Sequence, residues 1–122
     1  MPLKEEKISQ IHNHLDMIVE ELEAFSIKGA KLHEVERSLL SNLLQLGLEL
    51  LSYYILLVSK LVQQQGSPVD GQGKKMQNKG CTERAYFSIF GRLRIARTKY
   101  YGAAFEKTCY PADRALGLPS GR

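Results

Sequence analysis

The chain has 122 residues, 43% of them hydrophobic and 25% charged, which is one domain's worth of sequence with a modest core and excludes most self-contained multi-domain enzymes. The formal charge of +4 conceals a split. Residues 1–65 hold 6 Lys/Arg against 9 Asp/Glu, while residues 66–122 hold 11 against 4, so the basic character belongs to the second half and implies an anionic partner there, nucleic acid before membrane surface.

Taken in chain order, Lys4 to Phe25 places Ile8, Ile11, Leu15, Ile18, Leu22 and Phe25 at alternating spacings of three and four, the rhythm of a helix packing along one seam. Gly29 breaks it, and a longer helix starts near Lys31 or Leu32. Its seam is expected to run through Leu32, Val35, Leu39, Leu43, Leu46, Leu50, Leu57 and Leu61. Leu40, Leu44, Leu48, Leu51 and Ile55 widen that seam beyond what one partner helix can cover. Such a surplus calls for a second contact. With Leu46 and Leu50 these five are the candidate oligomerisation residues. The stretch Leu43 to Val62 is apolar enough to raise a membrane span, but Gln45, Glu49 and Lys60 lie inside it, and charges near a bilayer centre cost roughly 2.5 to 3.5 kcal/mol each. A buried or oligomer-facing helix is the better account, with no membrane partner.

Residues 66–80, rich in Gly, Gln and Lys, read as a flexible linker between the helical pair (1–65) and a C-terminal part (81–122). There the period changes to alternation, with Arg84 to Phe90 and Leu93 to Tyr101 flanking Gly91-Arg92, which suits a hairpin whose turn is centred on those two residues. Leu93, Ile95 and Arg97 then share one side of the ribbon. Two strands do not stand alone, so the hairpin must pack on something else. The tail, with Tyr110-Pro111-Ala112-Asp113 and Leu116-Gly117-Leu118-Pro119, reads as a turn, one helical turn and a stop. The expected fold class is α+β: a long, coiled-coil-like helical pair, a linker, a basic β-hairpin and a short tail.

Catalytic constellations are not apparent. His12 and His14 are two apart and diverge on a helix, so they read as surface residues and not as a metal pair. Glu34 reads as an acid complementing the dipole in a helix's first turn. The acids after the helices, Asp70, Glu83, Glu106 and Asp113, are scattered, so no metal, cofactor or catalytic residue is expected. Cys81 and Cys109 form no paired half-site, and the chain is expected to be reduced and cytoplasmic. The hairpin does carry a mechanism: Arg84, Arg92, Arg94, Arg97 and Lys99 with Tyr100 and Tyr101 are candidate DNA contacts, because guanidinium groups grip phosphates and tyrosines donate or stack. The rival role for Arg97 is a cation packed over Tyr86.

The order of these segments resembles a known family. The run from Leu32-His33-Glu34-Val35-Glu36-Arg37-Ser38-Leu39 through Leu46-Gly47, the hairpin Tyr86-Phe87-Ser88-Ile89-Phe90-Gly91-Arg92-Leu93-Arg94-Ile95-Ala96-Arg97-Thr98-Lys99-Tyr100-Tyr101, and the tail Tyr110-Pro111-Ala112-Asp113 to Pro119 are similar to the N-terminal part of insertion-sequence transposases of the ISKra type, over residues 32 to 119. Ala112 departs from the bulkier residue the family usually has. The resemblance implies a fragment that contributes DNA binding, oligomerisation or both to DNA transposition and recombination. In the family a DDE-type catalytic domain follows, and divalent metal belongs to that domain. No catalytic residue carries over, and Asp113 matches a non-catalytic turn. The implied form is a truncated or split transposase whose partners are element-end DNA and further copies of itself. The alternative is a small helical oligomerisation protein without a nucleic-acid role.

Overall fold

The computed structural model describes residues 2–69, 71–102 and 107–119; Asp70 and Glu106 lie outside them. The class is α+β. Helix α1 spans Pro2–Lys28 and α2 spans Leu32–Gln64. Strands β1 (Gln77–Ser88), β2 (Gly91–Gly102) and β3 (Lys107–Cys109) form an antiparallel sheet in the order β1-β2-β3, and α3 covers Pro111–Ala115. The residues fall into two compact units: Met1–Tyr53 with Phe87–Gly91, and Tyr54–Tyr86 with Arg92–Arg122.

In the first unit, α1 ends where the sequence stops it. Gly29 takes a left-handed φ of 73°, and the Ala30 amide donates to Phe25 O at 3.1 Å, closing the helix with a bond across the last turn. Lys31 precedes α2, and its amide donates to Glu34 Oε1 at 3.3 Å, half of a capping box.

The expected heptad seams are covered only in part: Ile8, Ile11, Leu22 and Phe25 of α1 and Val35, Leu39 and Leu46 of α2 are half-buried. Ile18 is buried, but Leu15 is exposed and His14 turns inward instead. On α2, Leu32, Leu43, Leu50 and Leu61 of the expected seam are exposed, while Ser38, Asn42 and Glu49 pair with α1. The Ser38 hydroxyl donates to Glu21 Oε1, Asn42 Nδ2 donates to Glu21 Oε2 at 3.4 Å, and His14 Nδ1 lies 2.9 Å from Glu49 Oε2. The physical reason is partner matching. Five polar side chains at helical spacing find one another across the pair, so turning either helix to bury more leucine would separate them from these partners. The histidine expected at the surface is thus a half-buried member of the helix contact.

The leucine-rich face of α2 therefore points away from α1. Part of it is covered by the hairpin tip: a Cβ placed on Gly47 would run into the Phe90 ring, and Gly91 lies over Leu48. A glycine at 47 is what lets an aromatic ring lie against the helix backbone. No α2 residue is fully buried. Among the described residues α2 is the one helix long and apolar enough to cross a membrane by length and composition, with a mean hydropathy of 1.3 over a window only 6% buried. Of the two readings the sequence left for this helix, buried or oligomer-facing, full burial is not what the structure shows.

The turn is also corrected. It is made by Ile89-Phe90, and Gly91 opens β2. Ser88 sets it: its hydroxyl accepts from the amides of Phe90 and Gly91, both at 3.1 Å, and donates to Gly91 O at 2.7 Å. A side chain that mimics backbone in this way shifts the turn toward itself.

In the second unit, β2 is the central strand, and its burial alternates. Leu93, Ile95 and Arg97 point inward while Arg92, Arg94 and Ala96 point out. Ile95, 1% exposed, is the most completely buried side chain described. The support a lone hairpin lacks comes in part from a third strand unseen in the sequence, β3, which pairs Tyr100 with Cys109, Tyr101 with Thr108 and Gly102 with Lys107. Part of the segment expected as linker is also ordered. Val69 bridges to Lys75, the Met76 amide donates to Pro68 O at 2.8 Å, Met76 is buried, and β1 begins at Gln77. One methionine in a polar stretch gives that stretch something to anchor.

Candidate nucleic-acid interface

The hairpin's cations divide into two groups. Period-2 alternation sends Arg92 and Arg94 outward, and both are exposed. Arg94 makes a loose, exposed ion pair with Glu83 at 3.4 Å, the kind of contact that contributes little and exchanges readily for another anion. Lys99, Tyr100 and Tyr101 are half-buried further along β2.

Arg97 and Arg84 are placed differently, both engaged with Asp113. Arg97, only 7% exposed, occupies the third inward position of β2. Its Nη1 donates to Asp113 Oδ2, and its guanidinium stacks over Tyr110 at 3.8 Å from the ring centroid. The ring under Arg97 is therefore Tyr110 and not Tyr86. Arg84 Nη1 donates to the same Asp113 Oδ2 at 2.9 Å and to Pro119 O at 2.8 Å. Asp113 is brought there by α3, whose start is fixed by Pro111 at its first position and whose end is closed by Leu118 N donating to Asp113 O at 2.9 Å. Two strands and the tail thus converge on one carboxylate. An arginine at the third position of an inward face, followed by an acid in a helical turn, was the sequence feature that could have revealed this cluster.

The candidate oligomerisation residues are on α2 as follows. Leu40 is 59% exposed, and Leu44 and Leu50 are exposed as well. Leu46, Leu48, Leu51 and Ile55 are half-buried, Leu48 against the hairpin tip. Leu43 joins the open patch, and at the tip Phe87 and Ile89 are exposed too. Between Arg37 and Lys60 the only charged residue is Glu49, which faces α1, so this patch carries no charge.

Among the described residues no group of three or more His, Cys, Asp or Glu is gathered as a metal site. Both thiols are free, Cys81 exposed and Cys109 half-buried. No family model, no curated protein and no solved structure matches the chain.

Proposed function

We propose that this chain is a non-catalytic DNA-positioning and assembly module of the kind found at the start of ISKra-type transposases, self-associating through α2 and contacting DNA through the hairpin, with no strand cleavage of its own. The observation that carries the reading is the segregation along the chain: an open, uncharged leucine face on the acidic half and outward cations on the basic ribbon. Exposed apolar area of this extent supports a helical partner. The acids of α1, Glu5, Glu6, Asp16, Glu20 and Glu23, disfavour an anionic membrane surface, which makes a second copy the better occupant. Arg92 and Arg94 supply phosphate contacts that any duplex can use.

The second reading, an oligomerisation protein without a nucleic-acid role, is favoured by the engagement of Arg84 and Arg97 with Asp113. Duplex binding measured by fluorescence anisotropy across a salt series separates the two. Affinity that falls as salt rises supports the DNA reading, and no binding at low salt leaves only assembly. Light scattering against concentration tests the shared part, where a monomer at high micromolar concentration would refute self-association. Incubation with supercoiled plasmid and magnesium or manganese tests the absence of cleavage. Nicking abolished by substituting Asp70, Glu83, Glu106 or Asp113 would overturn it.

A further inference from the structure

Two guanidiniums aimed at a single anionic oxygen are the arrangement with which proteins grip phosphate. Here the oxygen belongs to the chain itself. Arg84, Arg97 and Asp113 have side chains 13%, 6% and 10% exposed, so two cations share one carboxylate in a poorly solvated cluster, which leaves one positive charge uncompensated. The carboxylate is also an incomplete occupant: Asp113 Oδ1 and Arg97 Nε are both buried without a hydrogen-bond partner. A phosphate would bring more acceptor oxygens to the same fork and could satisfy Nε as well. The fork is not sealed, since Arg97 also lines a small open cleft with Ser59, Gln63, Thr98 and Tyr100. Asp113 itself sits on a helix of only five residues.

We infer that Arg84 and Arg97 form a phosphate-binding fork, that Asp113 is its built-in occupant, and that a backbone phosphate of DNA displaces the tail to take its place. The inference rests on the DNA reading above and adds regulation to it: the tail competes with DNA for two of the ribbon's cations. The exchange is ionic throughout, one carboxylate leaving as one phosphate enters, with no bond made or broken.

The test is anisotropy of a labelled duplex over a potassium chloride series, with far-UV circular dichroism to establish folding. Asp113→Asn is expected to bind at least about threefold tighter than the unmodified chain near 0.1 M salt, with a log–log salt slope steeper by about one to two units. Adding Arg84→Ala and Arg97→Ala to Asp113→Asn should return the slope to its original value. Glu23→Gln, which removes an exposed acid elsewhere, should leave the slope unchanged; a gain equal to that of Asp113→Asn would reduce the effect to net charge and overturn the fork. Inorganic phosphate at matched ionic strength identifies the source. If it raises the melting temperature of Asp113→Asn as much as saturating duplex does, the fork stands and free phosphate fills it. An unmodified chain with no salt-sensitive binding overturns the DNA reading and this inference together, whereas binding with a slope unmoved by Asp113→Asn overturns the fork alone. A readout that needs no change at Asp113 is the labelling rate of Cys109 in a Cys81→Ser chain. Saturating duplex should accelerate it as the tail lifts, and an unchanged or slower rate would overturn the proposal.

Discussion

The helical pair and the ribbon solve the same problem in opposite ways. Where α1 meets α2, the contact is built around Glu21, Ser38, Asn42, His14 and Glu49, and much of the leucine surface looks outward. On β2 the inward face holds Leu93 and Ile95, followed by one arginine whose charge is met by Asp113 from the tail. Strand β2 turns its apolar side chains inward, whereas α2 leaves many of its own exposed. Polar pairs fix which faces meet because stranding one of them is costly, while burial of apolar area supplies most of the free energy. In the helical pair these two tasks fall largely on different faces, which is why a chain of this size keeps exposed apolar surface.

That contrast can be broken experimentally. The largest effect is expected from Ile95→Ala, which empties the best-buried position of the ribbon and should cost about 2 to 5 kcal/mol in chemical denaturation; Leu50→Ala, on the exposed face of α2, should cost less than about 1 kcal/mol yet weaken association seen by light scattering. Gly47→Ala forces the Phe90 ring away from α2 and should destabilise by about 1 to 3 kcal/mol, with the change visible as altered near-UV circular dichroism. Glu21→Ala leaves Ser38 and Asn42 without their acceptor and should lower stability by about 1 kcal/mol. The smallest stability change belongs to Arg94→Ala, within about 0.5 kcal/mol, but its salt slope for duplex binding should fall by about one unit. A large loss of stability from Arg94→Ala, or none from Glu21→Ala, would erase the distinction drawn between the two regions.

Much of the fold was legible, and the misses share a cause. Both helices, the break at Gly29, the change of period after the linker and the short helix at Pro111 follow from local propensities that the fold respects. Period two also grouped Leu93, Ile95 and Arg97 correctly on one side of the ribbon. What spacing cannot carry is pairing between distant residues. The heptad reading chose leucines for the helix contact because apolar periodicity says nothing about His14 finding Glu49. The sequence left Arg97 between a DNA contact and a cation packed over Tyr86, and did not find Asp113, which lies 16 residues away. The turn moved by two residues because a serine hydroxyl outweighed the glycine, and β3 was invisible because three residues have too little pattern to read. The basic character of the ribbon was therefore legible in its composition, and the division of its arginines into exposed and buried ones in different pairings was not.

The separation of 29 residues between Arg84 and Asp113 has a consequence for how the chain comes into being. The helical hairpin and the β1–β2 ribbon close over short loops, and such contacts form early. The Asp113 contact closes a longer loop from a segment made later. A ribbon formed before Asp113 is available therefore leaves both arginines uncovered, and the cluster closes only when that residue docks. Translation that pauses before Asp113 would hold the protein with both arginines uncovered.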